Sequence, residues 1–315
     1  MTDTHYLSID VGGTLIKYAL MTEAGQLVEQ GTRPTPAAEF GEPDGQLAQK
    51  LIEFKTILTE IYRSYSGVAG VALSCPGKVD SHDGTVYFGG ALPYLHGFNA
   101  KGFLQEMTGK PAAVINDGKA AAQAELWQGN LQGVTNGSAL ILGTGLGGGL
   151  ILKGQLHQGS HFQAGELSFL NFNDKRFCPE DVAGFKYSPV QMIMKISELL
   201  NLEDKKDGVK VFEAINARQE GIWPIFEEFC RHIALVIYNQ QAIVDLERVV
   251  IGGGISAQPI VVEEIRRQYL AMISSIPFIG DMITPVEIET CRFAGTSNLI
   301  GALYQLLEET AYQVD

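Results

Sequence analysis

The sequence has no apolar run near the roughly 20 residues that a membrane-spanning helix needs. Its first ten residues, MTDTHYLSID, carry no basic stretch leading into a long apolar segment, so no signal peptide is expected and a soluble cytoplasmic protein is. The four cysteines, Cys75, Cys178, Cys230 and Cys291, lie far apart without CxxC spacing, which argues against a disulfide framework or a zinc knuckle and fits a reducing compartment. Basic residues are scarce: 23 Lys and Arg stand against 36 Asp and Glu, a net charge of −13. A surface that negative repels phosphate backbones and anionic lipid, so neither nucleic acid nor a membrane is an expected partner. No low-complexity stretch or Pro/Ser linker interrupts the chain.

What is abundant is glycine, 36 of 315 residues, and it is clustered. Gly12-Gly13, Gly89-Gly90, Gly143 to Gly149 and Gly252 to Gly254 each follow or adjoin a β-rich run. Tyr6 to Asp10 leads into Gly12-Gly13, and Leu15 to Leu20 reads as the returning strand of a hairpin. Ser138 to Leu142 leads into the second tract and Leu150 to Leu152 resumes beyond it. Helical spacing appears at Leu47, Leu51, Phe54, Leu58 and Ile61, and helices are also expected at Ala120 to Trp127, Pro224 to Asp245, Pro259 to Ser274 and Thr296 to Thr310. Asn171 to Ser188 reads as a loop. Two halves, each opening with a glycine-turned hairpin, suggest an internally duplicated pair of α/β domains.

The glycine tracts have the chemistry of anion sites. A turn without Cβ atoms lets backbone N–H groups close on a phosphate. In Asp10-x-Gly12-Gly13-Thr14 the acid suits the Mg²⁺ that accompanies a nucleotide, held through water, while Thr14 and the backbone face phosphate; a plain hairpin with a buried Asp is the alternative. Gly143-Thr144-Gly145-x-Gly147 is too glycine-dense for an ordinary turn. It leads back into a strand rather than opening a helix, so it is no Rossmann fingerprint, and it lacks the Gly-Lys-Ser/Thr of a Walker A loop. Gly252-Gly253-Gly254 offers bare backbone to a flat ligand, or simply turns a strand into a helix. Between these tracts Asn116-Asp117 ends a strand just before the Ala-rich helix. Asp117 is either a helix cap or a general base for a hydroxyl attacking phosphorus. Glu166 is a second candidate for sugar hydroxyls, or a solvated loop residue.

Taken in order, Asp10-x-Gly12-Gly13-Thr14, Pro76-Gly77-x-Val79-Asp80, Asn116-Asp117 before Ala120-Ala121-Ala122, Gly143 to Gly149, Gly165-Glu166 and Gly252 to Gly254 resemble the ROK sugar kinases along nearly the whole chain. The resemblance implies an actin-like, ribonuclease-H-like α/β fold of two domains (1–117 plus 299–315, and 118–298) with an interdomain cleft for ATP, Mg²⁺ and a hexose. It implies Asp117 as base, Gly77, Asn116 and Glu166 on the sugar, the glycine tracts on ATP, and a homodimer. Two departures stand out. Where many members carry a sugar-contacting histidine and a Cys-rich zinc loop, this chain has Phe169 and only Cys178, so no structural zinc is expected. In the acceptor loop Pro93-Tyr94-Leu95-His96-Gly97-Phe98, Tyr94 stands where the family has asparagine. Tyr94, Phe169 and His161 are therefore candidates for the acceptor pocket. With aromatic rings in place of these hydrogen-bonding groups the chain looks similar to the zinc-free β-glucoside kinase branch, which implies phosphorylation at O6 of a glucosyl unit such as that of cellobiose; a free-hexose kinase for glucose, fructose or N-acetylmannosamine, or a catalytically silent sugar sensor, are the alternatives.

Overall fold

Two glycine turns fold two strands back on their neighbours, and a five-stranded sheet grows from each. In a computed structural model that describes residues 4–173, 177–275 and 277–311, the chain divides into two compact units, one of residues 1–127, 158–164 and 296–315 and one of residues 128–157 and 165–295. Residues 312–315, within the expected first-domain segment 299–315, lie outside the described residues.

The first unit runs β1 (His5–Val11), β2 (Leu15–Thr22), β3 (Leu27–Pro34), α1 (Asp44–Ser64), β4 (Val71–Cys75), β5 (Lys78–Val79), β6 (Thr85–Phe88), β7 (Phe98–Asn99), α2 (Ala100–Thr108), β8 (Ala112–Asn116) and α3 (Asp117–Gln128). Its main sheet has the order β3-β2-β1-β4-β8, antiparallel across β1 to β3 and parallel across β1, β4 and β8. Strands β5, β6 and β7 form a separate small sheet. Parallel pairing sets Asp10 opposite Ser74 and Cys75 opposite Asn116, so the polar residues share the carboxyl ends of three adjacent strands. That end of a parallel sheet is where α/β folds place ligands.

The second unit runs β9 (Gly137–Leu142), β10 (Leu146–Leu152), β11 (Gln155–His157), α4 (Ala183–Lys186), α5 (Pro189–Leu199), α6 (Gly208–Asn216), α7 (Trp223–Val244), β12 (Arg248–Gly252), α8 (Pro259–Ser274), α9 (Pro277–Met282) and β13 (Glu287–Thr290). Its sheet order, β11-β10-β9-β12-β13, repeats the first sheet strand for strand, with the same parallel and antiparallel pairs. The duplication read from two hairpins thus extends to the sheet topology.

The last helix, α10 (Ser297–Ala311), belongs to the first unit. A Cβ on Gly301 would overlap the Ala120 carbonyl, so the helix lies directly on α3. Ser8 Oγ donates to the Leu299 carbonyl at 2.7 Å, fastening α10 to β1.

The structure differs from the sequence expectations in three places. Most of α3 lies in the first unit rather than beyond a boundary at 117/118, because its alanine-lined face is buried there. Segment 158–164 joins that unit too. The stretch expected as a loop from Asn171 to Ser188 contains a 3-10 turn at Pro179–Asp181 and the short α4.

Candidate active site

In the first unit, the turn after β1 is tied at both ends. Gly12 donates its N–H to the Leu15 carbonyl at 3.0 Å. Thr35 Oγ1 donates to the Gly12 carbonyl at 2.7 Å, and the Thr35 N–H donates to the Thr14 carbonyl at 3.0 Å. Gly13 and Thr14 stay exposed at the tip. Asp10, 6% exposed, accepts on Oδ1 from Ser74 Oγ at 2.8 Å and from Asn298 Nδ2 at 3.0 Å, while Lys17 Nζ lies 3.9 Å from Oδ2. Sequence reasoning missed Ser74, Asn298, Lys17 and Thr35. Lys17 had a readable signal, since the hairpin register sets it opposite Asp10. Asn298, 288 residues away, had none.

At the end of β8, Asn116 and Asp117 form one rigid pair. Asn116 Nδ2 donates to the Gly77 carbonyl at 2.9 Å and to Asp117 Oδ1 at 3.1 Å, while Asn116 Oδ1 accepts the Lys119 N–H at 3.1 Å. The Gly118 N–H gives Asp117 Oδ1 a second donor at 2.8 Å. Asp117 thus sits in the first turn of α3 with one oxygen oriented by two N–H groups; the capping bond on the helix start comes from Asn116 instead. Gly77 has φ +96°, and a Cβ there would overlap the Phe88 carbonyl, so only glycine fits. Cys75 is buried between the two carboxylates. Burial first, then the charges of Asp117 and Asp10, push its thiol far above the ordinary range, so it stays protonated.

Lys119 is 1% exposed, an unusual place for an ammonium group, and donates to the Phe162 carbonyl at 2.9 Å. Gln158 Nε2 donates to Ser81 Oγ at 3.0 Å, and the Phe162 ring meets His82 edge-on with centroids 5.6 Å apart. These contacts pin segment 158–164, which carries the exposed His161. Tyr94, expected in the acceptor pocket, is instead 4% exposed and packs its ring 5.8 Å from Phe54 on α1. It falls on the 3-10 turn Pro93–Leu95, whose Tyr94 and Leu95 side chains feed the core of this unit.

In the second unit, Gly143, Thr144 and Gly145 make the turn between β9 and β10, with Gly143 and Thr144 exposed. Gly147 falls within β10, opposite Ile141. Ser168 Oγ fastens the turn by accepting the Leu146 N–H at 2.9 Å and donating to the Leu146 carbonyl at 3.2 Å. The tract from Gly252 to Gly254 adjoins it, because β12 pairs with β9 and sets Gly252 opposite Ile141. A Cβ on Gly253, φ +96°, would overlap the Leu142 carbonyl, whereas Gly254 faces open space. Gly165, φ +82°, lies against Gly148 and Gly149, so these glycines let the chain pass on its way to Glu166. Phe169, on the 3-10 turn Leu167–Phe169, is 66% exposed.

The ROK family model matches residues 6–309. The beta-glucoside kinase of Listeria innocua is 30% identical over 306 residues, spanning 96% of this chain and 97% of the relative. That of Klebsiella pneumoniae is 27% identical over 304 residues and spans 94% of each. Among solved structures, a ROK family protein from Streptococcus pneumoniae in complex with sucrose matches with a TM-score of 0.79 at 25% identity, covering 98% of this chain and 100% of that one. Two sheets of one plan, each opening on a glycine-turned hairpin, define an enzyme of the actin-like, ribonuclease-H-like fold, an ATP-dependent sugar kinase. The chain belongs to the ROK family.

Proposed function

We propose that the enzyme transfers the γ-phosphoryl group of ATP to O6 of a glucosyl unit in a β-glucoside such as cellobiose, with Asp117 as general base. The observation that carries this reading is the pinned Asn116–Asp117 pair at the end of β8. A base must hold its geometry before the substrate arrives, and Asp117 Oδ1 is oriented by the Asn116 amide and the Gly118 N–H. In the transfer, the O6 proton passes to the Asp117 carboxylate as the O6–Pγ bond forms. The bond from Pγ to the bridging oxygen breaks, and ADP leaves with that electron pair.

Gly77 and Asn116 hold the sugar beside Asp117, and Glu166 takes hydroxyls from its own loop. The exposed tips of the two glycine turns, at Gly13-Thr14 and around Thr144, supply backbone N–H groups and threonine hydroxyls for phosphate, while Gly12 and Gly143 shape the turns and Gly252 to Gly254 are the bare backbone beside the second. Lys17 adds a positive charge next to Asp10. One buried carboxylate with a nearby hydroxyl suits Mg²⁺, which keeps several waters and takes its other oxygens from phosphates. Asp10 would hold that ion through water, and the ion would neutralise charge on the phosphate oxygens.

Coupled ADP release with ATP and Mg²⁺ against cellobiose, methyl β-glucoside, glucose, fructose and N-acetylmannosamine tests the reading. Highest kcat/KM with the β-glucosides supports it. Preference for a free hexose overturns the acceptor assignment and leaves the kinase. ADP release with none of them turns the chain into a sugar sensor.

A further inference from the structure

Strand β6 ends in a ring that the core does not use. Phe88 is 45% exposed, and its ring stacks against Phe40, 69% exposed, with centroids 6.1 Å apart and planes at 19°. The exposed His96 meets Phe88 edge-on at 6.5 Å. Three aromatic rings, one from the end of β6 and two from loops of the first unit, thus converge at the surface. Stacking two large apolar rings on each other while leaving much of both exposed forfeits hydrophobic stabilisation, which is the signature of a surface kept for something else.

The place of these rings says what that is. The Phe88 carbonyl lies against the Cα of Gly77, the glycine whose own carbonyl accepts the Asn116 amide at 2.9 Å. Beyond Phe88 the chain continues through Gly89 and Gly90 to Ala91, whose Cβ lies 4.0 Å from the position of a Cβ on Gly13 in the first phosphate turn. The ring platform is therefore attached to the segment that runs between the acceptor residues and the phosphate turn. Tyr87, the neighbouring exposed ring, is engaged elsewhere: the Lys78 ammonium lies 5.6 Å from its centroid.

We infer that Phe88 and Phe40, with His96 at their edge, form the subsite for the second ring of the acceptor, the sugar or aryl group joined to C1 of the glucosyl unit, which stays attached throughout the transfer. This rests on the β-glucoside reading and deepens it. One face of a β-linked pyranose presents axial C–H groups and no hydroxyls. That face rests on an aromatic π surface, whose negative potential attracts the C–H dipoles. His96, a donor or acceptor at the platform edge, reaches the equatorial hydroxyls that rim the same ring. The occupant is a six-membered ring, so a methyl aglycone gains nothing from the platform, and flat aryl groups gain as much as a sugar.

The test compares Phe88→Ala, Phe40→Ala, Phe88→Trp and, as a control at an exposed ring of the second unit, Phe278→Ala. Each position is exposed, so folding is kept, and a thermal melt checks it. The quantity read is kcat/KM for cellobiose divided by that for methyl β-glucoside. Phe88→Ala is expected to lower this ratio about tenfold, ~1.4 kcal/mol of binding, and Phe40→Ala about threefold. Phe88→Trp keeps the ratio near its original value and Phe278→Ala leaves it unchanged. A ratio within twofold of wild type in both Phe88→Ala and Phe40→Ala overturns the platform while the β-glucoside reading stands. A wild-type enzyme that prefers glucose to every β-glucoside overturns both, and that is visible before any variant is made.

Discussion

The two sheets have the same strand order and the same pairing directions, and each carries a glycine turn after its first strand, yet polar side chains gather at the strand ends of one alone. At the carboxyl ends of β1, β4 and β8 the first unit presents side chains: Asp10, Ser74, Asn116 and, one residue on, Asp117. At the equivalent ends of β9 and β12 the second unit presents backbone, in Gly143 to Gly145 and Gly252 to Gly254. The lesson is a division of labour on one scaffold. In the proposed reaction, carboxylates and amides serve protons, hydroxyls and the metal ion, where the identity of the group matters. Glycine serves phosphate there, where close approach of N–H groups matters more than any side chain.

This division is open to attack from both sides, and the largest effect is expected at Asp117. Replacing it with Ala should lower kcat by about 10²- to 10⁴-fold, the range of a lost general base. ATP affinity by calorimetry should remain close to wild type, because phosphate is held elsewhere. Turnover near wild type would remove Asp117 from the mechanism.

Next come the two strained glycines, one in each unit. Gly77→Ala forces a side chain into φ +96° and against the Phe88 carbonyl. Strain of that kind costs about 1–3 kcal/mol, and the displaced Gly77 carbonyl loses its grip on Asn116. A raised KM for sugar with the KM for ATP nearly unchanged is the expected pattern. Gly253→Ala meets the Leu142 carbonyl at φ +96° and should show the reverse, with ATP affected and sugar spared. Equal effects of both variants on both substrates would break the comparison. Ser168→Ala is milder: it removes two hydrogen bonds from the Leu146 backbone, and about 1 kcal/mol lost there should raise the KM for ATP a few-fold.

How much of this the sequence disclosed depends on the distance over which each feature is encoded. Hairpins and helices with their own periodicity were legible; α8 runs from Pro259 to Ser274 as its spacing indicates, because proline at the first position and a regular apolar face are local signals. The strands β5 to β7 are two to four residues long, too short for a period, and they were missed. Tyr94 was a pocket candidate because it stands where the family has asparagine, but a 3-10 turn swings its ring onto Phe54. Of the two aromatic candidates, Tyr94 is buried while Phe169 is exposed, and the exposed stack of Phe88 on Phe40 had no signal in the sequence. Ser74 and Asn298 became visible as partners of Asp10 only once strand pairing and the return of α10 brought them there.

The smallest expected effect belongs to the second unit alone and comes from acid. His232 on α7 stacks on Tyr187 with ring centroids 3.6 Å apart and planes at 15°, and its Nδ1 lies 2.8 Å from the Glu228 carbonyl. Nδ1 donates there, so the neutral ring keeps its proton on that nitrogen. Burial, chiefly, lowers its affinity for a second proton; the Glu228 carbonyl and carboxylate favour that proton, while Arg231 and Lys186 oppose it. The folded state therefore binds this proton less well than the unfolded chain, where histidine titrates near 6.5. Stability from this site is fully present above that pH and falls as pH drops through it. Between pH 7.5 and pH 5 the melting temperature should fall on this account, and His232→Phe, which keeps the stack but cannot take a proton, should flatten that part of the profile. An identical acid slope in the variant would show that the second unit's response to acid arises from its carboxylates rather than from this ring.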